Sequence, residues 1–277
     1  MHVEHFSYGL LTPGLSYAVS VLGSLLGLIA TARARNMVDK ARRARWLLLA
    51  AWAIGGTGIW VMHFMAMLGF TVTGQPIRYD LAITAASFIT AVVVVAIGLF
   101  IVGYGRPNAF KIITAGVLTG VGVAGMHYTG MFAMRLPADV TYDRNLVIAS
   151  IAIAVVAATV ALWFTVTLRR GWLLAVAALI MGVAVNGMHF TGMYALRISE
   201  FVPKPVSGLL PVAFVAPIVV FVVAVLVVLL VALLNRQGTD GPDGGDPTMK
   251  LVTAPTGPTP PSQVRRTSPS AFVSRPR

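Results

Sequence analysis

Three short motifs, each a methionine followed directly by a histidine, carry the residue types in this sequence that are best suited to binding a metal. The motifs are MHFMAM, MHYTGM and MHFTGM, and their histidines are His63, His127 and His189. An imidazole nitrogen beside thioether sulfurs, without a thiolate or carboxylate in the motif, is a soft and neutral ligand set. Copper as Cu(I) suits this set best, because zinc prefers additional nitrogen, thiolate or carboxylate ligands and magnesium and calcium require oxygen. A haem held by two histidines on facing helices is the alternative cofactor.

The methionines of the motifs fall into two sets on a helix. Residues four apart lie on one helix face, so each histidine shares its face with the methionine four positions later. This first set of candidate metal ligands contains Met67, Met131 and Met193. The residue directly before each histidine points about 100° away and is a second candidate. The second set contains Met62, Met126 and Met188.

Polar residues near the motifs leave alternatives open. As ordinary core residues, the histidines would bond backbone carbonyls or the hydroxyls of Thr129 or Thr191, with methionine as flexible filler. Three copies at one membrane depth favour a functional role instead, because ionisable residues are costly inside a bilayer. Asn186 lies three residues before His189 on nearly the same face, where it either orients the imidazole or bonds a neighbouring helix. His5, in the N-terminal segment, is a candidate outer ligand.

Apolar segments long enough to cross a bilayer make up most of the chain. Of its 277 residues, 57% are hydrophobic and 11% are charged, a composition that requires a lipid environment. Runs of about eighteen or more apolar residues can each span a hydrocarbon layer of about 30 Å. The sequence therefore predicts an all-α, polytopic membrane protein with seven transmembrane helices at 12–32, 46–70, 81–104, 111–134, 145–168, 172–196 and 210–235.

Charge is distributed unevenly between the two sides of this predicted helix bundle. Sixteen of the 21 Lys and Arg residues fall on one side, and the remaining five fall on the other. The excess of basic residues marks the cytoplasmic side, so we expect the N-terminus outside and the C-terminus in the cytoplasm. Most basic residues sit at helix ends, which indicates contact with the lipid bilayer and argues against a nucleic-acid partner. The absence of cysteine excludes disulfides and thiolate metal sites.

An internal repeat accompanies the motifs, because the three histidines are separated by 64 and then 62 residues. Each unit is a two-helix hairpin, and an even number of crossings between copies makes the repeats parallel. Each histidine lies about five residues beyond the midpoint of its helix, which is roughly 7 Å outward from the membrane midplane. The three histidines could therefore converge if their helices face a common axis.

The composition divides the chain into three regions. Residues 1–11 form a short outer N-terminal segment, 12–235 the seven-helix membrane domain, and 236–277 a Pro-, Gly-, Ser- and Thr-rich region. This last region lacks apolar periodicity and holds eight of the sixteen prolines, so we expect a disordered, basic cytoplasmic tail.

Evenly spaced MHYT-like motifs on alternate transmembrane helices resemble the MHYT-domain family of bacterial integral membrane sensors, over about residues 5–235. The resemblance implies a copper site near the outer membrane face that senses oxygen, carbon monoxide or nitric oxide. Carried over to this sequence, its ligands are Met62 with His63, Met126 with His127, and Met188 with His189. The full MHYT string occurs once, at 126–129, where the hydroxyl of Tyr128 could hydrogen-bond a bound gas or tune the metal.

The leading hypothesis is a copper-binding sensor or signalling module in the bacterial plasma membrane that is not itself an enzyme. Members of the family are often fused to cyclic-dinucleotide enzymes, histidine kinases or DNA-binding domains, and we expect none here. Signalling would then use an unidentified cytoplasmic partner. The second hypothesis is a copper transporter or acceptor, although few polar residues lie on the inner half of the predicted helices to form a path.

Overall fold

Among the residues that the computed structural model describes, six helices are long and apolar enough to cross a membrane. The structure describes residues 3–72, 75–201 and 206–211, together with single positions between 213 and 231. The helices are α1 (Leu11–Arg35), α2 (Lys40–Met67), α3 (Leu81–Gly103), α4 (Ala109–Phe132), α5 (Arg144–Thr167) and α6 (Gly171–Tyr194). The first six predicted spans are thus confirmed as helices in a multi-pass membrane protein. The predicted seventh span, at 210–235, lies mostly outside the described residues, and the region 236–277 lies wholly outside them.

Polar side chains at the helix starts explain where several helices begin. The carboxylate of Asp39 accepts hydrogen bonds from the backbone N–H groups of Ala41 and Arg42, so α2 begins at Lys40 and not at residue 46 as predicted from hydropathy. The predicted boundary was late because the first residues of α2 are basic and lie beyond the apolar run. Asp80, Asn108 and Asp143 cap α3, α4 and α5 in the same way.

Helix α2 contains an unusual segment directly before its motif. Residues Trp52–Val61 are π-helical over ten residues, whereas Lys40–Ala51 and Met62–Met67 are α-helical. Glycines in this segment let neighbouring backbones approach closely, since a Cβ on Gly55 would lie 2.7 Å from the carbonyl oxygen of Ala91 in α3. Long π-helices are rare, and short ones are frequent at functional sites.

The helices form a closed ring in chain order. Each helix packs against the next along the chain, and α6 returns to pack against α1. Helix α2 is the most enclosed of the six. In its most apolar stretch of 18 residues, 83% of the residues are buried, compared with 17% to 44% in the other five helices. The ring brings α2, α4 and α6 into mutual contact, which is the arrangement that three motifs at one depth require.

Within the described residues, three two-stranded antiparallel ladders lie at the end of the ring where the motifs lie. The pairs are β1 (Val3–Glu4) with β2 (Thr71–Val72), β3 (Arg78–Tyr79) with β4 (Met134–Arg135), and β5 (Ala138–Tyr142) with β6 (Leu196–Phe201). In each pair the first strand precedes an odd-numbered helix (α1, α3 or α5). The second strand follows the motif helix that comes after it in the chain (α2, α4 or α6). The chain therefore repeats the unit strand, helix, motif helix, strand three times.

Ion pairs strengthen the second and third of these units at corresponding positions. Asp80, at the start of α3, pairs with Arg135 at 3.0 Å, and Asp143, at the start of α5, pairs with Arg197 at 3.5 Å. The Asp80 carboxylate also accepts a hydrogen bond from the backbone N–H of Ile83. That hydrogen bond, together with the bond from Arg135, lowers the pKa of Asp80.

The substitution Asp80→Asn is expected to lower the thermal unfolding midpoint of detergent-purified protein near pH 7. Because the folded state lowers this pKa, the carboxylate stabilises the fold above the unfolded pKa of about 3.9, and this stabilisation is lost as the pH falls through the folded value. The difference in midpoint between wild type and variant should therefore shrink below about pH 4. Melting curves of both proteins from pH 7 to pH 3 test this, and a difference independent of pH would contradict it.

Candidate metal centre

The three motif histidines meet at the centre of the helix ring. His63, His127 and His189 are each only 1% exposed, and their candidate ligand nitrogens all lie within 4.8 Å of one another. The Nδ1 atom of His63 lies 2.9 Å from Nδ1 of His189 and 3.1 Å from Nδ1 of His127. The ring centroids are 4.8 to 5.2 Å apart, with interplanar angles between 73° and 86°. The imidazoles therefore face one another through Nδ1 in a nearly perpendicular arrangement.

The local sequence fixes how each imidazole is held. Every histidine lies within the last two turns of its helix, α2, α4 or α6, on the face that points toward the other two motif helices. The aromatic residue that follows each histidine packs edge-on against it, with centroid distances from 4.8 to 5.0 Å. These aromatic residues are Phe64, Tyr128 and Phe190. Each motif thus supplies both a nitrogen and an adjacent ring that restricts its rotation.

Hydrogen bonding alone cannot satisfy this cluster. A neutral imidazole has either one N–H or one lone pair at Nδ1. Nδ1 of His63 is within bonding distance of two other Nδ1 atoms, so it can form a well-directed hydrogen bond with only one of them. A cation between the rings would instead use all three lone pairs.

The geometry and chemistry of the cluster fit a metal ion with three nitrogen ligands. Metal–nitrogen distances of about 2.0 Å in a trigonal arrangement place the nitrogens about 3.5 Å apart. For the two pairs observed at 2.9 and 3.1 Å, the rings need to separate by only about half an ångström. No acidic residue or cysteine belongs to the group within the part of the chain that the structure describes, so the ligands carry no net charge.

The outer nitrogen of each imidazole is enclosed within the protein. The Nε2 atoms of His63, His127 and His189 are buried and have no hydrogen-bond partner. For two of them the neighbour is a glycine of the next motif, because a Cβ on Gly130 would lie 3.0 Å from Cδ2 of His63 and still closer to its Nε2. A Cβ on Gly192 would lie 2.9 Å from Cδ2 of His127 and likewise closer to its Nε2. Glycine at these positions leaves the space that the imidazoles occupy.

The motif methionines are all enclosed. None of the six is more than 2% exposed, and the set comprises Met62, Met67, Met126, Met131, Met188 and Met193. Met188 lines a central apolar cavity, whereas Met67 lines a separate cavity of about 470 Å³ near the N-terminal segment. Their assignment as ligands stays a prediction.

An apolar cavity lies next to the histidines. Its volume is about 50 Å³, and its lining includes Ile59, Val123 and Val185. Each of these residues precedes a motif histidine by four positions, so the cavity sits one helical turn, about 6 Å, from the cluster along the motif helices. A cavity of this size is large enough for a small molecule, and apolar walls favour an apolar one over water.

The predicted neighbouring residues form bonds away from the histidines. Asn186 accepts a hydrogen bond from Ser16 in α1 at 2.8 Å and donates to the carbonyl of Gly182 at 2.8 Å. Its amide thus links two helices, which corresponds to the second of the two alternatives predicted for it. The hydroxyl of Tyr128 lies 2.6 Å from that of Ser150 in α5.

The remaining candidates lie at the edges of the site. Thr191 donates a hydrogen bond to the carbonyl of Gly187 within its own helix, and Thr129 is half-buried. The ring of His5 lies 4.5 Å from that of Tyr194 and 5.4 Å from that of Phe70, and partial burial lowers its pKa. His5 does not belong to the three-histidine group, and its role as an outer ligand stays a prediction.

Two motif glycines contact imidazoles, and the sequence analysis did not predict these contacts. The signal was available in the repeat, because Gly130 and Gly192 occupy the same motif position, three residues after the histidine. The corresponding residue of the first motif is Ala66. The repeat alone does not reveal which histidine each glycine contacts, since that contact runs between neighbouring motifs.

The apolar helices and the buried histidine cluster define a polytopic membrane protein with a candidate metal centre. Comparison with known families gives a match to MHYT, described as a bacterial signalling protein N-terminal repeat, at residues 56–115, 120–178 and 182–240. The chain belongs to this family of membrane signalling proteins. The three matches confirm the predicted threefold repeat.

Curated relatives share the membrane region and are much longer. The chain is 38% identical over 197 residues to the bifunctional diguanylate cyclase/cyclic di-GMP phosphodiesterase MucR of Pseudomonas aeruginosa, which covers 69% of this chain and 28% of the relative. It is 33% identical over 211 residues to the cyclic di-GMP phosphodiesterase NbdA of the same organism. That alignment covers 74% of this chain and 26% of NbdA. The chain thus spans about a quarter of the length of these relatives. No solved structure matches the chain.

Proposed function

We propose that this protein is a membrane-embedded sensor or signalling module that binds copper as Cu(I) at His63, His127 and His189. The observation that carries the proposal is the close approach of three buried Nδ1 atoms, at 2.9 and 3.1 Å for the two contacts of His63. The thioethers of the motif methionines are the further candidate ligands. Bound copper would supply a centre to which a diatomic gas can bind.

The neutral character of the ligand set supports Cu(I) over divalent ions. Transferring an ion from water into an apolar interior costs a free energy that grows with the square of its charge, so a divalent ion costs about four times as much as a monovalent one. Neither a thiolate nor a carboxylate belongs to the cluster to offset that cost. Three imidazoles and nearby thioethers therefore favour a soft, monovalent ion.

The adjacent cavity supports a small apolar gas as the signal. Oxygen, carbon monoxide and nitric oxide are compact and weakly polar, and a cavity of about 50 Å³ with apolar walls suits them. Met188 lines this cavity and directly precedes His189, so a molecule there lies close to the proposed centre. A change in ligand occupancy would alter the packing of α2, α4 and α6 around the histidines.

The charge distribution and the relatives support a proposed orientation and a proposed partner. We propose that the protein lies in the bacterial plasma membrane with the histidines on the outer half and the arginine-rich helix ends in the cytoplasm. The names of MucR and NbdA describe cyclic di-GMP enzymes. Because the match covers only about a quarter of each relative, we propose that this chain acts as a sensing part and is not itself an enzyme, and that a cytoplasmic signalling partner receives its signal.

Infrared spectroscopy of Cu(I)-loaded protein under carbon monoxide tests the sensor. We expect a single C–O stretching band that disappears in the variant with His63, His127 and His189 all changed to alanine. A loaded protein without such a band would contradict gas binding at this site while leaving copper binding intact.

Copper transport or acceptance is the alternative function, for which imidazole and thioether ligands are equally suitable. Intracellular copper in cells that express wild type, the triple alanine variant or no protein separates the alternatives. The sensor proposal predicts copper contents that differ by no more than one copper per expressed chain. A larger excess that depends on the wild-type histidines would favour the transporter.

A further inference from the structure

Another pocket, at the end of the helices opposite to the motifs, is lined by three arginines. Its volume is about 220 Å³, and it lies where the end of α1, the start of α2, the end of α3 and the end of α5 meet. The arginines are Arg35, Arg43 and Arg169. None of the lining residues in the described part of the chain is acidic, so the positive charges lack a counter-charge within the pocket.

Arg35 is fixed in this pocket with one donor left unused. Its Nη2 donates a hydrogen bond to the carbonyl of Leu168 at the end of α5, which ties α1 to α5. Its Nη1 is buried and has no hydrogen-bond partner. A buried donor atom of a charged group that has no partner is costly, and an acceptor from a ligand would relieve that cost.

The two other arginines approach the pocket from different elements. Arg43, on the first turn of α2, has its guanidinium carbon 5.6 Å from the ring centroid of Tyr104, which restricts its position. Arg169 is exposed in the loop between α5 and α6 and lies close enough to Arg35 for the two charges to repel. Guanidinium groups converging from three elements match the several acceptor oxygens of a phosphate.

The rest of the lining is largely apolar. Leu47, Val102 and Val166 form part of the wall, and Leu99 lines both this pocket and the central cavity beside the histidines. A pocket with arginines at a helix end and apolar walls toward the membrane interior suits a phosphate that carries acyl chains. Basic pockets between transmembrane helices at the cytoplasmic face bind the headgroups of anionic lipids.

We propose that the pocket of Arg35, Arg43 and Arg169 binds a phosphate group, and that the apolar wall favours the phosphate of an anionic phospholipid over free phosphate. This site is separate from the proposed copper centre and stands whether or not copper binds. A lipid bound there would link the ends of α1, α2, α3 and α5.

Thermal unfolding of the full chain in a neutral detergent tests the proposal with three additives: phosphatidylglycerol, zwitterionic phosphatidylcholine and inorganic phosphate. The test variant is Arg43→Gln with Arg169→Gln, and the matched control is Arg45→Gln with Arg170→Gln, which removes the same charge from neighbouring residues outside the pocket lining. Arg35 is kept because its bond to Leu168 joins two helices. Native mass spectrometry counts the lipids that remain bound.

We expect phosphatidylglycerol to raise the unfolding midpoint of wild type and control, with one lipid retained per chain. Its affinity for the test variant should be lower by at least about tenfold. Phosphatidylcholine should have little effect, since its headgroup carries no net charge. A shift with inorganic phosphate alone, lost in the test variant, would support the phosphate site and assign it to the free anion. Equal responses of the two double variants, or no response to any additive, would overturn the proposal.

Discussion

Replacement of His63, His127 and His189 by alanine is expected to abolish stoichiometric copper binding. Wild-type protein, purified in detergent and loaded with Cu(I), should retain one copper per chain after desalting, and the triple variant should retain almost none. Removal of residues that merely support a metal ligand costs about 10- to 100-fold in affinity, so loss of three direct ligands should exceed about 100-fold. Elemental analysis and competition with a Cu(I) chelator measure both quantities.

The structural reason is that no other group in the described residues can replace the cluster. The three histidines are the one group of metal-ligating side chains found together there, and thioethers alone are weak ligands. The substitution His5→Ala separates the two roles open to that residue. Its ring packs on Phe70 and Tyr194, so we expect wild-type copper content. A reduced content would instead support His5 as an outer ligand.

Folding must be checked because the alanine variant removes three buried rings. A second triple variant, with glutamine in place of each histidine, keeps polar side chains of similar length and lacks the imidazole. Both variants should elute as wild type does in size-exclusion chromatography and lose copper equally. A wild-type protein that folds, resists Cu(I) and has no haem absorption band would show that the histidines are packing residues and would contradict the copper proposal.

The transmembrane helices and the position of each motif near the end of its helix could be predicted because both depend on local sequence. An apolar run longer than about eighteen residues has few alternatives to a membrane helix, and the position of His127 in its helix follows from counting residues. Convergence could not be predicted, because it depends on how far each helix rotates about its axis. The structure shows this rotation, because the contacts of α2 with α4 and α6 turn the three histidine faces toward one another.

Other features have no clear signature in the sequence. The π-helical segment Trp52–Val61 differs from an α-helix in which carbonyl each N–H group bonds, and its residues also suit an α-helix. Asn186 could not be assigned, because its partner Ser16 is 170 residues away in the chain. Strands β1 to β6 were missed because several have only two residues, too few for an alternating pattern.

Alanine substitutions at four helix glycines should separate the effect of the imidazole contacts from that of helix propensity. Gly130 and Gly192 touch His63 and His127, whereas a Cβ on Gly125 or Gly187 would meet no atom within 4 Å. Glycine-to-alanine changes in a helix interior stabilise by up to about 1 kcal/mol when space allows. Overpacking of a filled interior costs about 1–3 kcal/mol.

The double variant Gly130→Ala with Gly192→Ala is therefore expected to unfold at a lower temperature than wild type, by roughly 2–10 °C for a loss of about 1–3 kcal/mol. Gly125→Ala with Gly187→Ala should unfold at the wild-type temperature or slightly above it. Copper affinity should differ between the two double variants in the same way. A methyl group at residue 130 or 192 would lie against Nε2 of an imidazole and push that ring away from the position that brings its Nδ1 to the centre. We expect at least about tenfold weaker Cu(I) binding in the first variant and unchanged binding in the second.

The two measurements together distinguish packing from ligand positioning. If the glycines only allow close helix contact, the first variant loses stability and keeps its copper affinity once folded. If they position the imidazoles, as the contacts with Nε2 indicate, affinity falls even at temperatures where the variant is fully folded. Equal stability and equal affinity in both double variants would contradict the contacts themselves, because a Cβ cannot share the space of an imidazole nitrogen.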